Sequence, residues 1–327
     1  MSHTTFRSLL AGVLLLGIAM FAPAAMAQGW AKGTITIIVP FQAGGSTDIL
    51  ARAVGQKLSA RLQQPVVVEN KSGANGTMGG AYVAKAAPDG LTLMIAQSGF
   101  ASNPSLFKNL PYDQATDLVP VSLMASGPLV LTVNAAFPAK SVRELIALAK
   151  AKPGEINFGS AGVGSLPHLA PVQFDIMAGT KMTHIPYKGS SAALTDVISG
   201  QVPVYYMNLV LSQPYVKSGK LRALAVTSPQ RSSIAPDVPT LAESGLTGYD
   251  MTTWYGLFAP GKMPKSLVLV IQQEFAQVLR QPEVVEKFAA DGVNIVASTP
   301  EAFQEFLGRE VQKYSKIIQT AGIRATD

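Results

Sequence analysis

Residues 41–48 read Phe41-Gln42-Ala43-Gly44-Gly45-Ser46-Thr47-Asp48, between an apolar run and a helical repeat of leucine and valine. A second turn of the same kind reads Gly159-Ser160-Ala161-Gly162-Val163-Gly164-Ser165, with His168 just beyond it. Glycines before a helix leave the backbone open to close approach and allow positive φ. The helix start adds free N–H groups and the positive end of its dipole. Two such turns in different halves of the chain suit an anion held from both sides. Hydrogen bonds to a charged group contribute about 1.5–3 kcal/mol each, and a helix terminus about 0.3–2 kcal/mol. Three or four of them reach the roughly 8 kcal/mol of a micromolar complex, with no arginine required.

Ser46 or Thr47 reads as the N-cap of the first helix and Ser165 as that of the second, with Pro167 in the first turn, where its missing N–H costs little. A third loop, Tyr187-Lys188-Gly189-Ser190-Ser191, adds hydroxyls and one cation. Asp48 places negative charge in the first helical turn. It either complements the dipole or bonds local N–H groups with its side chain turned from the ligand.

Other chemistry finds little support. Gly73–Gly80 lacks both dinucleotide spacing and the Gly-Lys-Ser/Thr of a phosphate loop, and reads as a loop into a close-packed helix. There is no Gly-x-Ser-x-Gly elbow. His168 and His184 are too few for a recognisable metal site. His168 faces the ligand or makes a structural bond; His184 reads as buried structure, and Trp254 and Tyr255 either line a pocket or, the better reading, pack in the core. No cysteine is present. No cofactor is implied. The net charge is +6, spread without the basic stripe of a nucleic-acid binder.

The turns need elements to hold them. Thr34–Val39 reads as a strand, and Leu50, Val54, Leu58 and Leu62 repeat at helical spacing. Val66–Glu69, a helix to about residue 86 and Leu91–Ala96 complete a βαβαβ start. A second alternating set runs from Leu129 through Leu221–Val226. Trp254–Ala259 is a further strand, and three helices follow from Lys265, Pro282 and Pro300. The expected fold is α/β, with two lobes, each a mixed and mostly parallel sheet flanked by helices. Lobe 1 takes residues 28–126 and 229–327, and lobe 2 takes 127–228. Ligands of such sheets sit at the carboxyl ends of the strands.

The first 27 residues read as an export signal. Arg7 precedes the apolar run Leu9–Phe21, and Ala25-Met26-Ala27 is a small-x-small cleavage site. The mature chain would begin near Gln28. The high apolar fraction (48%) with low charge (14%) indicates large buried cores.

In order and spacing, the motifs resemble the Bug-type solute receptors of tripartite tricarboxylate transporters across nearly the whole mature chain. The marks are Val39-Pro40-Phe41 into Ala43–Asp48, Val68-Glu69-Asn70 with Gly73-Ala74, and Pro88-Asp89-Gly90. Gly159–Ser165 with His168-Leu169, Pro186-Tyr187-Lys188-Gly189, Asp237–Glu243 and Trp254-Tyr255-Gly256 complete the set. The resemblance implies a periplasmic receptor of Venus-flytrap form, a monomer, binding a small organic acid and serving integral membrane subunits of a transporter. One ligand carboxylate would be held by amides of the two glycine loops, partly through water. The implied contacts are Phe41, Ala43, Gly44, Gly45, Ser46, Thr47, Asp48, Ser98, Ser160, Ala161, Gly164, Ser165, His168, Tyr187 and Asn208. Two departures stand out. Gln42 replaces a common proline, which would loosen the first loop. Asn208 replaces a frequent aspartate, which would admit a second carboxylate or an aromatic acid. A receptor for a membrane sensor is the alternative, and an exported enzyme a weaker one, since only His168 offers acid–base chemistry.

Overall fold

In the computed structural model the chain is described at residue 30 and over residues 32–325. The export signal expected in residues 1–27 lies outside these. The chain begins with β1 (Ile35–Val39), α1 (Ser46–Leu62), β2 (Val66–Asn70), a 3-10 turn and α2 (Thr77–Ala84), then β3 (Thr92–Gln97). A second 3-10 turn, Ser98–Ser102, leads into the short α3 (Asn103–Leu106) and β4 (Leu118–Gly127). One residue later β5 (Leu129–Asn134) starts a second set: α4 (Val142–Ala151), β6 (Asn157–Ser160), α5 (Leu166–Ala178), β7 (Thr183–Pro186), α6 (Ser190–Ser199), β8 (Val204–Asn208), α7 (Leu209–Lys217) and β9 (Leu221–Val226). After a long irregular stretch come β10 (Thr253–Pro260), α8 (Lys265–Leu279), α9 (Pro282–Ala290), β11 (Asn294–Ile295) and α10 (Pro300–Ala321).

These strands form two sheets, in the orders β11-β4-β10-β3-β1-β2 and β7-β6-β8-β5-β9. Both are mixed and carry helices, as a two-lobed α/β protein requires. One expectation is corrected: the sheets are not mostly parallel. Four strand pairs run parallel and five antiparallel. The reason is the path of the chain. β10 returns from the second set and inserts antiparallel between β3 and β4, while β5 enters the second sheet antiparallel to both β8 and β9.

The apolar periodicity seen in the sequence does its packing. Leu50, Ala51, Val54 and Leu58 of α1 are fully buried with Ile35, Ile37 and Val39 of β1. Gly55 lets the helix settle on the sheet, since a Cβ there would stand 3.3 Å from Val66 Cγ1. On the other face, α10 turns Phe303, Leu307, Tyr314, Ile317 and Ile318 inward. The same stripe carries Glu310, whose carboxylate accepts from the Trp254 indole N–H at 3.0 Å. Trp254 is thus the core aromatic expected of it.

The irregular stretch after β9 does not simply cross over. Leu241 N–H donates to Val226 O and Met251 N–H to Thr227 O, and Thr240 bridges parallel to Val226. It runs beside the edge of the second sheet as a strap before β10 begins.

Gly256 on β10 faces the Phe303 ring, and a Cβ at this position would overlap it. Phe303 is held by Phe258 and Trp254, at centroid separations of 5.2 and 5.9 Å. Gly256→Ala should therefore cost about 1–3 kcal/mol of stability. Urea unfolding of the variant against the parent checks this.

Candidate functional site

Both glycine turns lie where the sheets' carboxyl ends meet, and both are built the same way. In the first, Gly44 adopts φ +80 and its N–H donates to Asp48 Oδ2 at 2.9 Å. In the second, Gly164 also adopts φ +80, and its N–H donates to His168 Nδ1 at 3.1 Å. Each loop is therefore closed by a buried acceptor four residues after its glycine. The N–H groups of Gly44 and Gly164 serve the loops rather than a ligand.

Asp48 is fixed from three sides. Besides Gly44, its carboxylate accepts from Arg52 Nε at 3.0 Å and Asn70 Nδ2 at 2.9 Å. Burial opposes its charge, but the bonds from Arg52, Gly44 and Asn70 outweigh that and hold its carboxyl below the ordinary value. Its negative charge is thus spent locally. Asn70 also donates to Phe41 O, tying the loop's entry to β2.

His168 sits on a second histidine. The His168 and His184 rings stack at 3.7 Å between centroids, with Phe158 5.1 Å from His184. Burial pushes His168 down to about 3, helped by the neighbouring ring, and burial pushes His184 down to about 4. Both are neutral near pH 7. The Gly164 bond then requires the His168 proton on Nε2. Ser160 Oγ lies 2.6 Å from His184 Nε2, accepts from Gly162 N–H and so shapes the loop from below. His184 is structural, as its strand position suggested.

The helix starts differ from expectation. The first helix is capped by Gly45, not by Ser46 or Thr47, and no side chain closes it. Ser165 is the cap of α5, but its hydroxyl donates back to Gly162 O at 2.7 Å instead of capping. Gly189 begins α6 and Asn208 begins α7, again without a capping side chain. Ser141 and Thr299 cap α4 and α10 with their side chains, whereas α2, α3, α8 and α9 also lack a capping side chain. Pro167, Ser190 and Asn208, from the starts of three helices, line one small cavity. Ser46 and Asn208 both lie beside the Tyr255 hydroxyl. Four uncapped helix starts, α1 from one sheet and α5, α6 and α7 from the other, therefore converge.

The remaining candidates sort as follows. Ala43 and Gly45 are exposed on the loop and Phe41 is half-buried. Thr47 donates to Gln97 Oε1 at 3.2 Å. Ser98 Oγ lies 3.4 Å from Thr253 Oγ1, both at the sheet end that faces the loops. Ala161 sits half-buried in the second turn. The Tyr187 hydroxyl is engaged, donating to Asp196 Oδ2 at 2.6 Å. Gln42 reaches toward the other lobe: a Cβ on Gly189 would stand 3.3 Å from its Oε1. A second crossing joins Ser102 Oγ to Gly164 O at 3.1 Å, with Asn75 Nδ2 on the same hydroxyl. Gly73–Gly80 thus borders the cleft through Asn75.

Tyr255 is a core aromatic as expected from sequence, 2% exposed, and its hydroxyl lies among Ser46, Asn208 and Thr253. Its position follows from β10 running antiparallel, which brings Tyr255 opposite Gln97 at the end of β3. Register of this kind leaves no mark in a single sequence. Among the described residues no group of three or more acidic, histidine or cysteine side chains is placed to hold a metal. Nor is any helix of these residues long and apolar enough to cross a membrane.

The histidine pair yields a pH test. Both pKa values lie below the ordinary value of about 6.5, so unfolded chains take up protons that the folded state refuses. Stability should be full above pH 6.5 and fall as pH drops toward 4 and 3. His168→Asn keeps an acceptor for Gly164 without titrating and should flatten part of this slope. His168→Leu strands the Gly164 N–H and should cost about 1–3 kcal/mol at every pH. Thermal unfolding of the three proteins from pH 7.5 to 4.5 reads both effects.

Comparison with known proteins agrees with this architecture. Residues 50–323 match the family described as tripartite tricarboxylate transporter family receptor. The chain is 36% identical to protein BugT of Bordetella pertussis, over 96% of each. It superposes on R. palustris Rpa4515 with adipate at TM-score 0.83, with 34% identity, covering 90% of this chain and 100% of the other. It superposes on MatC from Rhodopseudomonas palustris with bound malate at TM-score 0.80, with 30% identity over 88% and 99% of the two chains. The chain therefore belongs to the tripartite tricarboxylate transporter family of receptors, the Bug-type solute-binding proteins.

Proposed function

We propose that this receptor clasps one carboxylate of a small organic acid between the starts of α1 and α5, and delivers the solute to a membrane transporter. The observation that carries this is the convergence of four helix starts with no capping side chain. Such starts leave N–H donors and positive dipole ends facing one space. Ser46 and Thr47 from the first loop, and Ala161 and Leu166 from the second, supply the amides. Asp48 and His168 hold the two loops in shape, while Ser98, Tyr255 and Asn208 border the ligand.

The lobes are 28–126 with 229–327, and 127–228, with the strap after β9 lying along the edge of the second sheet on its way back to β10. Binding closes them about the crossings at Gly127–Pro128 and after Val226. The chain acts as a periplasmic monomer, freed of its signal after Ala27, with no cofactor and no reaction of its own. Its partners are the acid and the integral membrane subunits. Two family members of similar fold, Rpa4515 and MatC, are described with adipate and malate, which makes straight-chain and hydroxylated diacids the first probes.

Ser46→Pro tests the clasp. Proline suits the first helical position, and the extended Gly45 before it, φ −77 and ψ 168, accepts a following proline. The variant removes one amide and keeps the helix. Calorimetric affinity for the best-binding acid should fall by about tenfold or more, with unliganded melting unchanged. Unchanged affinity contradicts the reading. Asn208→Asp adds a charge beside the ligand and should weaken dicarboxylates more than monocarboxylates in the same titrations. An equal effect on both removes Asn208 from the selectivity account.

A further inference from the structure

The cavity at the starts of α5, α6 and α7 holds about 50 Å³. Pro167, Leu194, Met207 and Leu211 are its apolar lining, with Ser190, Ser191 and Asn208 as polar lining. Tyr205 of β8 also lines it, is 1% exposed, and carries a hydroxyl with no partner at hydrogen-bond distance, although the Ser190 side chain lies near it. A buried hydroxyl without a partner forfeits roughly 1–3 kcal/mol. Three other tyrosine hydroxyls are unpartnered, those of Tyr112, Tyr206 and Tyr314, and none of them lines this cavity. No lysine, arginine, aspartate or glutamate lines it either.

The main-chain groups available here are donors, while the Ser190 and Ser191 hydroxyls and the Asn208 amide can donate or accept. The uncapped starts of α6 and α7 present N–H groups. Burial pushes the Tyr205 phenol up to about 12, so it keeps its proton. A space with donors, no acid and apolar walls fits an oxygen acceptor on a short apolar stem. Its volume exceeds the minimum of about 10–15 Å³ for one water and suits a terminal group of a few atoms.

We propose that Tyr205 is the distal anchor of the binding site: its hydroxyl donates to a second oxygen-bearing group at the far end of the bound acid. This rests on the carboxylate clasp described above. The ligand class is then narrowed to acids with a second oxygen acceptor, either a carboxylate or a neutral hydroxyl or carbonyl. Simple alkanoic acids of the same length are excluded as good ligands, because they leave the Tyr205 hydroxyl unpaired.

Isothermal titration of succinate, glutarate and adipate, of their ω-hydroxy counterparts, and of butyrate, valerate and hexanoate, tests this in the parent and in Tyr205→Phe. The best ligand should carry a distal oxygen, and Tyr205→Phe should weaken it by about tenfold while changing its matched alkanoate less than twofold. Preference for the diacid over the hydroxyacid identifies a charged terminus, and the reverse a neutral one; either agrees with the proposal. The substitution removes only an unpartnered hydroxyl, so melting without ligand should not fall. Alkanoates binding as tightly as their oxygenated partners would overturn the proposal, as would equal losses across all three series. If no acid of any series binds the parent, the clasp itself fails, and Tyr205 with it.

Discussion

The first N–H groups of an α-helix have no carbonyl behind them. A side chain can cover them, as Ser141 and Thr299 do here, but most helices of the described residues lack such a cap. Four of those without one face the cleft. Leaving them open costs stability in the empty protein and creates a concentrated site of positive potential without a charged side chain. On the proposed reading, a carboxylate with two oxygens satisfies donors from both lobes at once, which would couple ligand binding to lobe closure.

Openness at the helix starts demands rigidity just before them. Each glycine loop solves this with the same device, a positive-φ glycine whose N–H is held by a buried acceptor four residues on. The acceptors differ because their surroundings differ. Asp48 keeps its charge because Arg52 and Asn70 share it. His168 is buried against the half-buried His184 ring, where a neutral imidazole is the stable form. An anionic ligand beside the first loop therefore meets a carboxylate already neutralised, and beside the second loop an uncharged imidazole.

Much of this was legible in the chain. The Leu50, Val54 and Leu58 repeat and the β-branched strand before it determine the first βα unit, and the glycines between mark the loop. The alternating sets and the returning strand 254–259 determine two sheets. Four things stayed hidden for physical reasons. Residues 118–127 form a strand despite Pro120, which is tolerated beside a register shift opposite Phe258. Residues 209–217 form a helix despite Pro214. The first cap was hidden because Ser46 and Thr47 are good capping residues, yet the helix starts at Ser46 with Gly45 as the cap; Ser165 is the N-cap of α5 as read, although its hydroxyl turns into its own loop. Tyr205 and Tyr255 could not be placed because their roles depend on strand register.

The most direct measurement is amide NMR of the 15N-labelled protein as the best-binding acid is added. Carboxylate capture by main-chain donors should move the N–H protons of Ser46, Thr47, Ala161 and Leu166 strongly downfield, while those of Gly44 and Gly164, already bonded to Asp48 and His168, change little. Large shifts confined to other surfaces, with the two glycine loops silent at saturation, would contradict the account.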